Sequence, residues 1–348
     1  MSEATRHDPA RLTAFAEALC RAAGLNAPKA DAVARTLVES DLLGHATHGL
    51  ALLPRYLEDM GNGGMATEGE PEVLRDRGAC VTWNGRRLPG PWLVHRALDL
   101  ALDRVGTYGT VTVAIGDSHH IGCLAAYLTR ATERGFMLVL SSSASAAAAV
   151  APFGAITGVL APDPVAAGIP TDAEPILMDV SASITTINMA GRLQKEGGQF
   201  PHAWVQDAEG RASTDPAVLT RGGTLLPAGG QDHGQKGYAW ALMNEALTQG
   251  LSGYGRADRP SGWTASVLLQ LYDPEAFAGI DAFRRQTSHT AAACRAATPR
   301  PGVARVRLPG ESGLAHRREA LRDGVMLSPA ILAGLEAAAR KLGVAVEV

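Results

Sequence analysis

The chain has 348 residues, long enough for two domains or for one large one with a substantial core. A hydrophobic content of 46% excludes global disorder, and a formal net charge of −3 gives no electrostatic case for nucleic acid or a membrane surface. The four cysteines, Cys20, Cys80, Cys123 and Cys294, lie far apart with no CxxC, which argues against a thiolate metal site and a disulfide framework and fits a reducing, cytoplasmic location.

The first residues are polar and carry no signal-peptide pattern. Asp8-Pro9 opens a helix, Asp as cap and Pro at the first helical position, and Leu12, Phe15, Ala16, Leu19 and Cys20 follow helical spacing up to Gly24. A second helix begins near Pro28 and delivers the chain to Gly44. After a turn at Thr47-His48, Leu50, Leu53, Pro54 and Leu57 predict a third short helix, ending at the Gly-rich run 60–64.

From Glu70 the pattern changes. Val73-Leu74 and 80–83 read as short strands with a turn at Asn84-Gly85, a helix is expected from 92 to about 105, and 111–115 reads as a buried strand. A His-rich loop follows, then a helix from about 123 to 134 and an apolar strand over 136–140. This strand–loop–helix–strand run is an α/β signature. The uncharged stretch 136–162 is broken by Pro152, Gly154 and Gly158, so it reads as strand and buried loop, since a membrane helix needs about 20 unbroken apolar residues. Further strands are expected at 165–169, 176–180 and 263–272, with a long helix from about 236 to 251 and a tail helix from Ser328-Pro329 to Gly343.

Three segments carry chemistry. Gly44-His45-Ala46-Thr47-His48-Gly49 puts a hydroxyl beside an imidazole on a glycine-bounded turn. Alone it fits either a helix junction capped by a His or a proton donor held by its neighbour. The second is Asp117-Ser118-His119-His120-Ile121-Gly122 and the third Gln235-Lys236-Gly237-Tyr238. His119 is expected to face solvent from its loop and His45 to pack behind the turn. Adjacent His119 and His120, with no carboxylate spacing to supply a third ligand, give no metal site.

These segments, in this order, resemble the type-2 malate/L-lactate dehydrogenase family, which includes ureidoglycolate, sulfolactate and diketogulonate dehydrogenases and cyclic-imine reductases. The resemblance rests on 46–49 and 118–122, and extends through Pro152-Phe153-Gly154, 167–171, Thr214-Asp215-Pro216, Lys236-Gly237-Tyr238 and 308–311. It implies an α/β, non-Rossmann malate/L-lactate dehydrogenase-like fold, in accord with the lack of a GxGxxG after a first strand. A central mixed-sheet domain (71–284) and a helical domain formed by both termini (1–70 with 285–348) are the implied division. The implied activity is NAD(P)H-dependent reduction of a 2-oxo acid (oxidation of a 2-hydroxy acid) or of a cyclic imine, in a homodimer acting on a small molecule.

By the same resemblance, His48 is the proton donor, Thr47 orients it, and His120 lines the site beside substrate and nicotinamide. Asp179, Lys236, Gly237, Gly310 and Glu311 contact NAD or NADP, with Lys236 and free backbone N–H groups at a helix start suited to a pyrophosphate.

The chain also departs from the family's pattern. The Arg that binds substrate carboxylate is Leu52, and Arg55, one turn on, is the candidate replacement, though on a neighbouring direction of the helix. Gly-Thr-Asn-Pro is replaced by Ala161-Pro162-Asp163-Pro164, which puts a carboxylate where cofactor phosphates would be disfavoured if it is ionised and near. Asp-(Met/Leu)-Ala-Thr-Ser is replaced by 179–183, Met189 stands where imine reductases carry an acid, and 231–235 reads as an insertion. Such a cluster of changes also fits a non-redox acid–base enzyme, an isomerase or lyase that has lost dinucleotide binding.

Overall fold

The computed structural model describes residues 5–346. The chain opens with β1 (Thr5–His7), α1 (Pro9–Ala22) and α2 (Ala27–Leu42). Asp8 caps α1 by accepting the Ala10 N–H at 2.7 Å, and Asn26 caps α2 by accepting the Lys29 N–H at 3.2 Å, each followed by a proline in the first turn. After a 3-10 turn (Leu50–Leu52) come α3 (Leu53–Gly61), β2 (Glu72–Asp76), β3 (Cys80–Asn84), α4 (Gly90–Tyr108) and β4 (Thr110–His119). The middle of the chain holds α5 (Thr129–Thr132), β5 (Met137–Ser143), β6 (Val165–Ile169), β7 (Ile176–Val180), α6 (Ile187–Lys195), β8 (Val205–Gln206), β9 (Ala212–Ser213) and β10 (Thr224–Leu225). It closes with α7 (Gly230–His233), α8 (Gln235–Glu245), β11 (Thr264–Tyr272), α9 (Ile280–Ala296), α10 (Glu311–Asp323), β12 (Val325–Leu327) and α11 (Pro329–Leu342).

Seven strands form one mixed sheet in the order β2-β3-β4-β11-β5-β6-β7. Only β3 and β4 run parallel; every other neighbouring pair is antiparallel. β11 sits at the centre, between β4 and β5, and its nearly continuous apolar run matches a strand covered on both faces. β1 pairs antiparallel with β12, tying the start of the chain to its end.

Three apolar clusters fill the interior. The largest packs α4 onto the sheet through Trp83, Trp92, Leu93, Leu98, Val113 and Leu269. A second joins Leu12, Phe15, Leu37, Leu53 and Tyr56 to Val325, Leu327 and Leu335, so residues from both ends share one core. Each such buried side chain contributes about 1.5–3 kcal/mol by its removal from water. A small third cluster holds Val150, Leu160, Phe200, Val205 and Leu225 together with Ala241 of α8.

Several expectations need correction. The helix expected over 123–134 is a 3-10 turn (Leu124–Tyr127) followed by the single turn of α5. There the Ala125 N–H is drawn to the Asp179 carboxylate at 2.9 Å, and the Tyr127 hydroxyl donates to the Ile121 carbonyl, which spreads the segment over the sheet edge. The His-rich segment is only partly a loop: β4 continues to His119, which pairs with Thr264 of β11, while His120 is the first residue beyond the strand. The long helix after Lys236 changes at Ala246 to a π turn (Ala246–Gly250), where the Thr248 hydroxyl donates to the Asn244 carbonyl at 2.7 Å within the helical ladder. α6, α9 and α10 have no counterpart in the sequence reading; α9 buries only Ala291 and α10 only Ala320, too little apolar surface to leave a periodic signal.

Candidate active site around His48 and His120

The turn that carries His48 is built by local bonds. α2 ends at Leu42, Gly44 takes a φ of +81°, and the His45 N–H returns to the Ser40 carbonyl at 2.8 Å. The His48 N–H donates to His45 O at 2.8 Å, and the Leu50 N–H donates to the buried Asp41 carboxylate at 2.7 Å. Burial pushes the Asp41 carboxyl up to about 7, with the Leu50 N–H pulling the other way. A Cβ on Gly49 would lie 2.3 Å from that carboxylate, so only glycine lets the turn close over Asp41.

Thr47 Oγ1 lies 3.0 Å from His48 Nδ1, in position to orient the ring. The His48 ring stacks against that of His120, with centroids 6.1 Å apart and planes 25° from parallel. Both residues are half-buried. Burial lowers the His48 pKa, the Asp179 carboxylate acts to raise it, and His45 lowers it further. Asp179, on β7 at the sheet edge, accepts from the Ala125 N–H at 2.9 Å and from the Cys123 thiol at 3.4 Å.

His120 is packed from three sides. Its Nδ1 lies 2.7 Å from the Tyr56 hydroxyl and 3.2 Å from the Gly122 N–H, and its ring centroid is 5.0 Å from Trp263. Gly90, first residue of α4, abuts the His119 and His120 carbonyls so closely that a Cβ there would sit 2.3 Å from one of them. Among the described residues no protein group bonds Nε2 of either His48 or His120, which leaves both for a ligand.

His119 does not face solvent. It is fully buried, with Nε2 at 3.1 Å from the Asp59 carboxylate and its ring edge-on to Tyr56; burial lowers its pKa to about 4 against the pull of Asp59. Asp59 also pairs with Arg55 at 3.0 Å. The Arg55 guanidinium, half-exposed, lies 5.7 Å from the Trp263 ring centroid, so one aromatic side chain separates it from His120. Leu52 is buried in the core shared by the two chain ends.

The other residues singled out from the sequence are more dispersed. Lys236 is exposed at the start of α8. Gly237 does not offer a free N–H: its amide donates to the Ala228 carbonyl at 3.2 Å, and a Cβ would lie 2.4 Å from the Ala228 nitrogen and 2.6 Å from Ala182 O. Its glycine is required by the packing of α8 on the chain that leaves β7. Gly310, at φ +89°, packs on Leu177 of β7, while the Glu311 carboxylate is held by Arg295 and Arg305. Met189 lies in α6. Asp163 is fully buried; burial raises its pKa, and the nearby Glu245 adds to the rise, so its carboxyl is neutral and presents no charge to a phosphate.

For a nicotinamide dinucleotide the fit is good at one end: two half-buried imidazoles with open Nε2 positions suit a nicotinamide and a small polar substrate. At the other end Lys236 is the available cation, without the Gly237 amide. Tyr56, Asp59, Asp41 and Trp263 are site residues that the sequence reading missed. Tyr56 sits in the apolar spacing of α3 and reads as core, while Arg55 and Asp59 carried a visible i,i+4 charge pattern.

The mixed sheet with helices drawn from both termini is the architecture of a known class of dehydrogenases outside the Rossmann fold. A solved malate dehydrogenase from Pyrococcus horikoshii OT3 superposes with a TM-score of 0.89 at 25% identity, covering 98% of this chain and 97% of that one. Residues 7–336 match the malate/L-lactate dehydrogenase family, and the chain belongs to it. An L-lactate dehydrogenase of Cupriavidus necator is 32% identical over 326 residues, covering 91% of this chain and 92% of the relative. A (2R)-3-sulfolactate dehydrogenase (NADP(+)) of Chromohalobacter salexigens is 32% identical over 314 residues, covering 88% and 90%.

Proposed function

We propose that this chain is an NAD- or NADP-dependent dehydrogenase of a 2-hydroxy acid, or a reductase of a cyclic imine acid, with His48 as its proton carrier. The observation that carries the reading is the facing pair, His48 and His120, stacked at 6.1 Å with both Nε2 atoms open. A bound nicotinamide supplies or accepts the hydride. In the oxidative direction neutral His48 takes the hydroxyl proton; in the reductive direction its protonated form returns it. Because burial lowers the His48 pKa, the neutral form dominates at pH 7 and the resting site is set to accept a proton. Thr47 orients the ring, and Arg55 beside Trp263 pairs with the substrate carboxylate in place of the Arg that Leu52 has displaced.

Lys236 holds the cofactor phosphates, with Asp179, Gly310 and Glu311 along the same sheet edge and Gly237 shaping it. Named relatives that oxidise lactate and sulfolactate, one of them with NADP, support a hydroxy-acid substrate. A homodimer is supported by exposed Trp240, Leu242 and Met243 on α8, which present apolar surface to be covered. A cytoplasmic setting is supported by four unpaired cysteines.

The test is titration with NADH and NADPH, followed by nicotinamide fluorescence, together with assays on L-lactate, malate and sulfolactate. Saturable binding of one cofactor and turnover of one acid are expected. No binding at millimolar cofactor would remove the redox reading and favour the non-redox acid–base alternative.

A further inference from the structure

We infer that Tyr56 and the Gly122 amide lock His120 as the neutral Nε2–H tautomer, so that it serves as a fixed hydrogen-bond donor to the substrate while His48 alone carries the proton. The inference rests on the dehydrogenase reading for its consequence, but not for its structural content. A backbone N–H can only donate, so the Gly122 amide at 3.2 Å requires a lone pair on His120 Nδ1. In a neutral imidazole the proton is then on Nε2. The Tyr56 hydroxyl, 2.7 Å from Nδ1 and 3.1 Å from the His120 carbonyl, donates or accepts and so accommodates this assignment, which the Gly122 amide decides.

Protonating the ring would set an Nδ1–H against the Gly122 N–H, two donors head to head in a buried place. The titratable groups facing the ring are Tyr56, His48 and His119, none of which supplies a negative charge at neutral pH to favour an imidazolium. Gly122 aims its amide back at Nδ1 from a left-handed conformation, φ +73°, which a residue with a side chain adopts only with strain. Tyr56 is fully buried and edge-on to Trp263, which holds its oxygen beside Nδ1.

His48 has a different environment. Its Nδ1 meets a hydroxyl, which donates or accepts as needed, and Asp179 favours its charged form. The two rings, alike in the sequence, are therefore assigned different work: one exchanges a proton and the other only orients the substrate oxygen. Tyr56 is a positioning residue for that donor.

The test is 15N–1H correlation of the intact protein labelled at histidine, recorded from pH 5 to 8, with His120 assigned through His120→Gln. The expected result is an unshifting Nε2–H pattern for His120 and a titrating pattern for His48. Tyr56→Phe, which keeps the ring and its packing, is expected to let His120 titrate or populate the second tautomer, and to lower kcat/KM about tenfold. His120→Gln, which still offers an N–H, is expected to retain turnover within about tenfold, whereas His48→Gln loses about 10²–10⁴-fold. An Nδ1–H pattern or a titrating His120 in the unaltered protein overturns the inference. So does a loss in His120→Gln as large as in His48→Gln. If the protein turned over no hydroxy acid at all, the spectra would still decide the tautomer, so failure of the functional reading is distinguishable from failure of the lock.

Discussion

Two polar regions lie on this sheet, and they are built differently. Around His48 the positioning bonds come from short stretches, Asp41 to Leu50 and Thr47 to His48, and the Gly122 amide reaches His120 from two residues on, while Tyr56 and Asp59 of α3 reach His120 and His119 across 64 and 60 residues. Around Asp163 the partners come from far along the chain. Asn244 donates to the Ser142 carbonyl at 2.8 Å across 102 residues, and Ser143 meets Thr248 at 2.8 Å across 105. Arg256 grips Glu245 at 2.7 Å and donates to the carbonyls of Ala144, Ser145 and Ala147. In that knot neither Asp163 oxygen nor Asn244 Oδ1 has a hydrogen-bond partner among the described residues. In the candidate site the buried atom without such a partner is His119 Nδ1, whereas the knot carries an unmet carboxyl, in the segment Ala161-Pro162-Asp163-Pro164.

The contrast can be broken from either side. The largest effect is expected at His48→Ala: kcat/KM for hydroxy-acid oxidation should fall about 10²–10⁴-fold, with the melting temperature nearly unchanged. A fall of less than tenfold would mean that the histidine region is not the chemical one. Next is Arg256→Met, which leaves Glu245 without its cation and the 144–147 loop without its clamp. Urea unfolding should show a loss of about 3 kcal/mol, typical of one partner removed from a partly buried pair. A smaller stability loss, about 1–3 kcal/mol, is expected for Gly49→Ala, whose added carbon meets the Asp41 carboxylate at 2.3 Å. Unlike the Arg256 change, it should lower activity as well, because it moves the turn that holds His48.

A pH-dependent test sharpens the knot's side. Asp163 in the folded chain holds a proton that the unfolded chain releases at about pH 3.9. Its contribution to stability is therefore greatest below that pH and is lost as pH rises toward the raised folded value. Asp163→Asn removes the titration. The variant should match the parent near pH 4 and gain on it by up to about 1.4 kcal/mol for each pH unit above that in the same unfolding assay. A difference that does not grow with pH would show that the carboxyl has a partner.

The same contrast explains what was legible in the sequence. Thr47, His48 and His120 could be singled out because glycines and adjacent polar groups mark them within six residues, and β6 and β7 were readable as apolar runs. Tyr56 was hidden because a core tyrosine and a tyrosine that holds a histidine share the same helical spacing. His119 was misread because its partner, Asp59, comes from another element brought alongside by folding. Whether Asp163 is ionised was not legible for a related reason: ionisation is set by burial, and burial comes from the folded surroundings. The central place of β11 was likewise invisible, since strand order is a property of long-range pairing.

The most direct measurement is the pH dependence of kcat/KM for oxidation of the hydroxy acid, in the unaltered protein and in His48→Ala. Because burial lowers the His48 pKa and the base must be neutral, activity should be level through neutral pH and fall on a single limb with a midpoint below 6.5. That limb should be absent from the residual activity of His48→Ala. A midpoint that persists in the variant would contradict the assignment of proton transfer to His48.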